Sequence, residues 1–294
     1  MNAEPTFLAS IPFFSHPVTQ AEAQYQGRIM ENTRAGTIWV GLAYLMTYPA
    51  LLISVVIYLG TLASQIIPGA VVLTLDATSL SIATLTLIFL IAMNIALYVV
   101  VTLVTLGLSI NSINREKQGK TWDTLLLTGV DARQLVWGKW WATVRTFWKD
   151  YVLVGMLRLG MIAWLIAVTD GEFIYRLVVP RFSPELAYLV VGAVLVAVYT
   201  AMDAMLTAAL GQIAALSDAR TGIVALLAML LRLVTIFAPL VIPPLVYVHF
   251  EMHEASFYIT FWALCLVVYA VLIWVLLRIG QWLAFRQQAL RPAT

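Results

Sequence analysis

The sequence predicts an all-α, polytopic membrane protein, and two observations support that class. Of its 294 residues, 62% are hydrophobic and 11% are charged, whereas soluble domains are about half apolar and about one quarter charged. The apolar residues form long runs, and runs of about eighteen or more are typical of membrane-spanning helices. The single cysteine, Cys265, excludes a disulfide framework and a cysteine-based zinc site within one chain.

Six runs are long enough to cross a bilayer, and we expect one helix for each. Their predicted bounds are 37–60, 79–113, 142–169, 184–216, 221–248 and 256–285. The second run, of about 35 residues, would be about 50 Å long, against a hydrocarbon core of about 30 Å. That helix should therefore project beyond the membrane at the end that carries Asn111, Ser112 and Asn114.

The basic residues between these runs predict that both termini are cytoplasmic, because Lys and Arg concentrate on that side of a membrane. One side carries Arg28, Arg34, Arg115, Lys117, Lys120, Arg133, Lys139, Arg145, Lys149, Arg220, Arg278, Arg286 and Arg291. The other side carries only Arg176 and Arg181. Residues 1–36 would form a cytoplasmic segment and residues 37–294 a six-span domain. Because the first basic residue is Arg28, we expect no signal peptide.

Residues 118–129, QGKTWDTLLLTG, contain Gly119-Lys120-Thr121, the last three residues of a phosphate-binding P-loop. A P-loop also needs a glycine five residues before Gly119, between a strand and a helix. Asn114 occupies that position, after a predicted membrane helix. We therefore predict that this chain does not bind ATP through this segment.

If the same segment is helical, four of its residues share one face, at positions i, i+3, i+4 and i+7. They are Trp122, Leu125, Leu126 and Gly129. The segment would then be a short amphipathic element beside the membrane. It could anchor a loop at the membrane surface, or its apolar face could dock into another protein.

The segment resembles the signature of the type-2 ABC transporter permeases, the membrane subunits of exporters. That signature is a stretch rich in Glu and Arg, a Gly, then Thr-x-acidic-x-Leu-Leu-x-Thr, with Gly-Lys about ten residues on. The matching residues here are Arg115, Glu116, Gly119, Thr121, Trp122, Asp123, Leu125, Leu126 and Thr128, followed by Gly138 and Lys139. Residues 16–39 likewise resemble the start of these proteins, where an amphipathic elbow helix precedes the first span. Here Lys120 is an extra residue, and His16 replaces the usual Asn.

The resemblance implies a fold, partners and a mechanism. A coupling helix within residues 114–141, between spans two and three, would dock on a separate ABC ATPase. ATP and Mg²⁺ would bind to that ATPase, while this chain would bind no cofactor and catalyse no reaction. A second permease copy would complete the pathway for alternating access. The other expected partners are membrane lipids but not nucleic acid, and the expected location is the plasma membrane. The substrate cannot be inferred from these residues.

Three ionisable residues lie within the predicted spans, each about 15–20 Å from the cytoplasmic ends. They are Arg158, Asp203 and Arg232. Charges at this depth are costly and normally face the interior of a helix bundle. The three residues could form an ion cluster that fixes helix packing, or they could line a path for a substrate or a proton.

The remaining candidate residues are weaker. His249 and His253, four residues apart, would share a helical face and could hold a metal, but their spacing does not match H-E-x-x-H. We therefore expect no metal site. No Ser, His and Asp set indicates a hydrolase, so an enzyme is the least favoured class. A non-transporting structural subunit with this permease fold, within a larger membrane complex, is the main alternative to a permease.

Overall fold

The computed structural model describes residues 17–35, 38–66, 77–119, 121, 132–168, 186–217, 226, 228–235 and 255–289. These residues form six long helices and a short helical segment at 228–235, with no strand among them. The long helices are α1 (Pro17–Ala35), α2 (Ile38–Ile66), α3 (Ala77–Gln118), α4 (Ala132–Val168), α5 (Leu186–Leu216) and α6 (Ala255–Ala289). The predicted all-α class is thus confirmed for the described part of the chain.

Four of these helices contain stretches that are long and apolar enough to cross a membrane. The stretches are Leu45–Ala63, Thr84–Gln118, Val190–Leu216 and Trp262–Arg286. They coincide with the first, second, fourth and sixth predicted runs. The third run lies in α4, and only 226 and 228–235 of the fifth run are described. The described part therefore has the character of a polytopic helical membrane protein, and the number of spans stays a prediction.

Parts of the predicted connecting segment 114–141 belong to the two helices that flank it. Helix α3 continues to Gln118, and α4 already begins at Ala132. Residues 114–118 therefore belong to α3 and residues 132–141 belong to α4. Residues 119–131 lie between the two helices. At 42 residues, α3 is about 63 Å long, which agrees with the expectation that this helix exceeds the thickness of a bilayer core.

Helix α4 is the centre of the bundle, because it contacts each of the other five helices. Leu135, Val136 and Trp140 of α4 share the main buried cluster with Leu206 and Leu210 of α5. The Trp140 indole Nε1 donates a hydrogen bond to the Met205 carbonyl oxygen at 2.9 Å. Apolar packing and this bond fix α4 against α5.

Two glycines allow close helix contacts, as is common where membrane helices pack. A Cβ on Gly211 of α5 would lie 2.6 Å from the Cβ of Ser109 on α3. A Cβ on Gly160 of α4 would overlap Ser54 of α2. Ser109 Oγ also donates a hydrogen bond to the Ala208 carbonyl oxygen at 2.8 Å, across the α3–α5 contact.

The substitution Gly160→Ala is expected to destabilise the protein by about 1–3 kcal/mol, because a methyl group in a filled contact must push α2 away from α4. The midpoint of thermal unfolding in detergent measures this effect. Gly60→Ala is the matched control, because among the described residues no atom beyond the adjoining turns of α2 lies within 4 Å of a Cβ at Gly60. Equal midpoints for Gly160→Ala and the wild type would contradict the close α2–α4 contact.

Candidate functional site

The first candidate site surrounds Lys139, which the sequence placed among the charges of a connecting segment. The structure places Lys139 in α4, where it is 1% exposed. Its Nζ lies 3.2 Å from Glu22 Oε2 and 2.7 Å from Glu116 Oε1. It also donates to the Ser112 carbonyl oxygen at 3.1 Å and lies 3.2 Å from Ser112 Oγ. A lysine ammonium has three N–H donors, so these acceptors use its full capacity.

Glu22 connects α1 to this lysine and to the end of α3. Its Oε2 lies 3.0 Å from Arg115 Nη2, and its Oε1 accepts a hydrogen bond from Gln26 Nε2 at 3.0 Å. The Arg115 guanidinium also stacks over the Tyr25 ring, 3.7 Å from its centroid. We call Glu22, Arg115, Glu116 and Lys139 the Lys139 node. The node joins α1, the last turn of α3 and the beginning of α4.

The fully buried residues of α1 are polar, which the expected amphipathic elbow did not suggest, while Val18 and Met30 pack partly buried against the apolar clusters. The fully buried residues are Thr19, Glu22 and Gln26, and Gln26 Nε2 donates to Thr143 Oγ1 of α4 at 3.2 Å. A Cβ on Gly138 would lie 2.9 Å from Thr19 Oγ1. Gly138 and Lys139 thus both contact α1. The absence of a side chain at Gly138 allows Thr19 to approach α4, and Lys139 forms an ion pair with the Glu22 carboxylate.

The pKa of Glu22 is lowered below its ordinary value of 4.5. Burial raises the pKa, but the positive charges of Lys139 and then Arg115, with the hydrogen bond from Gln26, outweigh burial. The folded protein therefore binds the Glu22 proton less readily than the unfolded chain does. Ionised Glu22 stabilises the fold above about pH 4.5, and this stabilisation is lost as the pH falls through the folded-state pKa.

Glu22→Gln is therefore expected to make thermal stability in detergent less sensitive to acid. The wild type should lose stability more steeply than the variant below about pH 4.5. Unfolding midpoints measured across this pH range test the expectation. Glu31→Gln, at an exposed position on the same helix, is the control and should keep the wild-type profile. A Glu22→Gln protein as acid-sensitive as the wild type would show that Glu22 is not ionised in the node.

The residues of the predicted coupling segment divide into two groups. Arg115 and Glu116 belong to the node. Gly119 follows α3 in a turn, where its N–H donates to the Arg115 carbonyl oxygen at 2.8 Å, and Thr121 Oγ1 donates to the Glu116 carbonyl oxygen at 3.4 Å. The others lie outside the described residues: Trp122, Asp123, Leu125, Leu126 and Thr128. The structure therefore describes the base of the segment and not its predicted apolar face.

The second candidate site contains the three charges predicted within the spans, which the structure brings together. Asp203 Oδ1 is paired with Arg232 Nη2, and Asp203 Oδ2 lies 3.5 Å from Arg158 Nη2. The Tyr98 hydroxyl donates to Asp203 Oδ1 at 3.2 Å and accepts from Arg232 Nη2 at 2.9 Å. Asp203 is 0% and Arg232 1% exposed. We call Arg158, Asp203 and Arg232 the arginine–aspartate cluster.

Tyrosines and threonines surround this cluster and were not singled out from the sequence. Arg158 Nη1 donates to Thr200 Oγ1 at 3.0 Å, and its guanidinium stacks over Tyr98 and Tyr199 at 4.8 and 5.3 Å. The Tyr199 hydroxyl lies 3.2 Å from the Tyr269 hydroxyl, which donates to the Thr235 carbonyl oxygen at 2.6 Å. Contacts within and around the cluster thus join α3, α4, α5, α6 and the 228–235 segment.

The cluster carries more positive than negative charge. Arginine stays protonated in proteins, so two guanidinium groups share one carboxylate. Arg232 Nε has no hydrogen-bond partner in the part of the chain that the structure describes. Arg158 is the more accessible arginine, with 17% of its side chain exposed. The excess charge therefore lies mainly at Arg158.

An apolar groove of about 270 Å³ runs between α4 and α5. Trp148, Met156 and Ala197 line its walls, and Thr200, the hydrogen-bond acceptor for Arg158, also lines it. The groove therefore adjoins the cluster through Thr200. The groove could accommodate an apolar chain.

Metal binding finds no support among the described residues, which contain no group of three or more His, Cys, Asp and Glu side chains able to hold an ion. His249 and His253, the weak candidates from the sequence, lie outside those residues.

Comparison with known proteins adds no relative to this picture. No family model, curated protein or solved structure matches the chain. Any functional assignment must therefore come from the sequence pattern and from the two sites.

Proposed function

We propose that this chain is the membrane-spanning permease subunit of an ABC exporter of the type-2 class, driven by a separate ATPase subunit. The observation that carries the proposal is the Lys139 node. Lys139 and Glu116 stand on opposite sides of residues 119–131, their charged atoms are 2.7 Å apart, and both flanks are tied to α1 through Glu22. A force applied to residues 119–131 would therefore reach three helices together.

Helices α3 and α4 provide the route by which such a force could reach the membrane interior. Both run without a break from the node to the arginine–aspartate cluster. The distance along the helix axis is about 27 Å between Glu116 and Tyr98 of α3. It is about 29 Å between Lys139 and Arg158 of α4. Movement of the node would thus shift Tyr98 and Arg158 relative to Asp203 of α5. We infer that this change accompanies alternating access.

The finer features of the proposal follow from the sequence pattern. The chain would have six spans with both termini in the cytoplasm, in the plasma membrane. It would work with a second permease copy, and ATP and Mg²⁺ would bind only to the ATPase. The apolar face with Trp122, Leu125 and Leu126 would fill a pocket of the ATPase, while Asp123 would orient the contact through charge.

A second candidate function is a non-transporting structural subunit of a larger membrane complex. The burial of the arginine–aspartate cluster favours it, since Asp203 and Arg232 are almost wholly enclosed. A closed network of this kind suits a scaffold that holds helices in place.

Affinity purification in mild detergent, with the partners then identified, tests both functions. A permease should retain an ATPase that has a complete P-loop, whereas co-purification with redox or pigment proteins would favour the scaffold. The double variant Asp123→Lys, Leu126→Glu should lose the ATPase, because it reverses a charge and places a carboxylate on the apolar face. Gln118→Lys alters charge at an exposed position at the end of α3, outside the signature residues, and should retain more of the partner. Wild-type recovery of the ATPase with the first variant would refute the proposed docking segment.

A further inference from the structure

Helix α6 carries an exposed series of alternating tryptophan and arginine residues. Trp274, Arg278, Trp282 and Arg286 follow one another at intervals of four, so they lie along one face of the helix. All four are exposed, with Trp274 at 55% and Trp282 at 57%. We call these residues the Trp–Arg ladder. At about 1.5 Å per residue it covers about 18 Å of the helix.

Each arginine of the ladder stacks on the tryptophan one turn before it. The guanidinium carbon of Arg278 lies 5.4 Å from the centroid of the Trp274 ring, and that of Arg286 lies 5.5 Å from Trp282. Stacking of this kind holds a cation over an aromatic face. Arg278 therefore extends back along α6, toward the middle of the apolar stretch Trp262–Arg286.

The ladder has positive charge and no internal counter-charge. Helix α6 contains no acidic residue, and neither arginine has an ion-pair partner within the described ranges of the chain. A cation within an apolar stretch requires an anion or water. A stacked guanidinium still presents N–H donors at its edge, in a planar arrangement that matches phosphate oxygens.

We propose that the Trp–Arg ladder is a binding site for anionic phospholipids, whose phosphate groups pair with Arg278 and Arg286. Charge complementarity favours this occupant, because two unpaired cations match lipids with a net negative head group. Tryptophan is enriched where lipid head groups meet acyl chains. Ile279 and Phe285, exposed beside the ladder at 41% and 62%, would contact those chains. The site goes beyond the proposed function, because lipid binding needs neither an ATPase nor transport.

Native mass spectrometry of the purified full chain, with equal amounts of phosphatidylglycerol and phosphatidylcholine, tests the proposal. The wild type should retain more phosphatidylglycerol than phosphatidylcholine. Arg278→Gln and Arg286→Gln should each weaken its binding about fivefold, the usual contribution of one basic residue near an anionic membrane surface. Trp274→Leu should weaken it less, because the charge remains and only the stacking is lost. Arg145→Gln removes an exposed arginine of α4 and is the matched control.

Two outcomes would overturn the proposal. If Arg145→Gln weakens phosphatidylglycerol binding as much as the ladder variants do, the preference reflects total charge and not this site. If the ladder variants keep the lipid but change the mass of the oligomer, a second copy of the chain covers this face. Unfolding midpoints of all variants should match the wild type, because the substituted side chains are exposed.

Discussion

Lys139→Met is expected to lower the unfolding midpoint of the detergent-solubilised protein sharply and to loosen α1 from the bundle. The change keeps an unbranched side chain but removes the cation that neutralises Glu22 and Glu116. Removing one partner of a buried ion pair costs about 3–5 kcal/mol, because the remaining charge is left uncompensated. Arg115 Nη2 remains 3.0 Å from Glu22 Oε2 and 3.8 Å from Glu116 Oε1, so the larger share of the loss should come from Glu116, whose remaining ion pair is the longer.

Thermal unfolding and limited proteolysis of α1 measure the two effects of Lys139→Met. Lys149→Met is the control, because Lys149 is an exposed lysine of the same helix and its loss should change little. Adding Glu116→Gln to Lys139→Met should recover part of the midpoint, since it removes the carboxylate that keeps only the 3.8 Å ion pair with Arg115. If Lys139→Met unfolds like the wild type and α1 stays protected, the node does not hold these helices together.

Asp203→Leu is the second substitution for which we expect a large effect. It would leave Arg158 and Arg232 without the carboxylate that they share, and the expected loss is about 3–5 kcal/mol by analogy with buried pairs in soluble proteins. Adding Arg232→Leu should restore more stability than adding Arg158→Leu. Arg232 is the more deeply buried arginine, with 2% of its side chain exposed against 17% for Arg158.

Two measurements on the Asp203 variants separate a packing role from a transport role. Unfolding midpoints in detergent report packing, and substrate movement in vesicles that contain the proposed ATPase partner reports transport. Asp203→Asn is the control for shape, because it keeps the size of the side chain and removes only the charge. A wild-type midpoint for Asp203→Leu would show that the cluster does not stabilise the fold. A wild-type midpoint with lost transport would assign Asp203 to the substrate path.

The all-helical class, the excess length of α3 and the meeting of Arg158, Asp203 and Arg232 could be predicted from the sequence. These features follow from the length of apolar runs and from the constant rise of a helix, which are local properties. Arg158 and Asp203 meet because equal depth in neighbouring helices brings side chains to one level. Tyr98 and Tyr269, which lie near these charges, occur within long apolar runs. The hydrophobic pattern therefore does not distinguish them from other residues of those runs.

The Lys139 node could not be predicted, because it depends on residues far apart in the chain. A lysine shortly before an apolar run has the pattern of an exposed charge that sets topology. Its burial depends on Glu22, which lies 117 residues earlier, and on the close approach of α1 at Gly138. The polar buried face of α1 was the available signal, since Thr19, Glu22 and Gln26 recur at intervals of three and four.

The node also sets an order of assembly during synthesis. Glu22 leaves the ribosome long before its partners, because Arg115 follows after 93 residues and Lys139 after 117. At about 5–20 residues per second, the wait for Lys139 is about 6–23 s. During that time the Glu22 carboxylate needs water, so α1 must remain outside the bundle. Helix α1, although made first, is therefore expected to dock only after α4 has been synthesised.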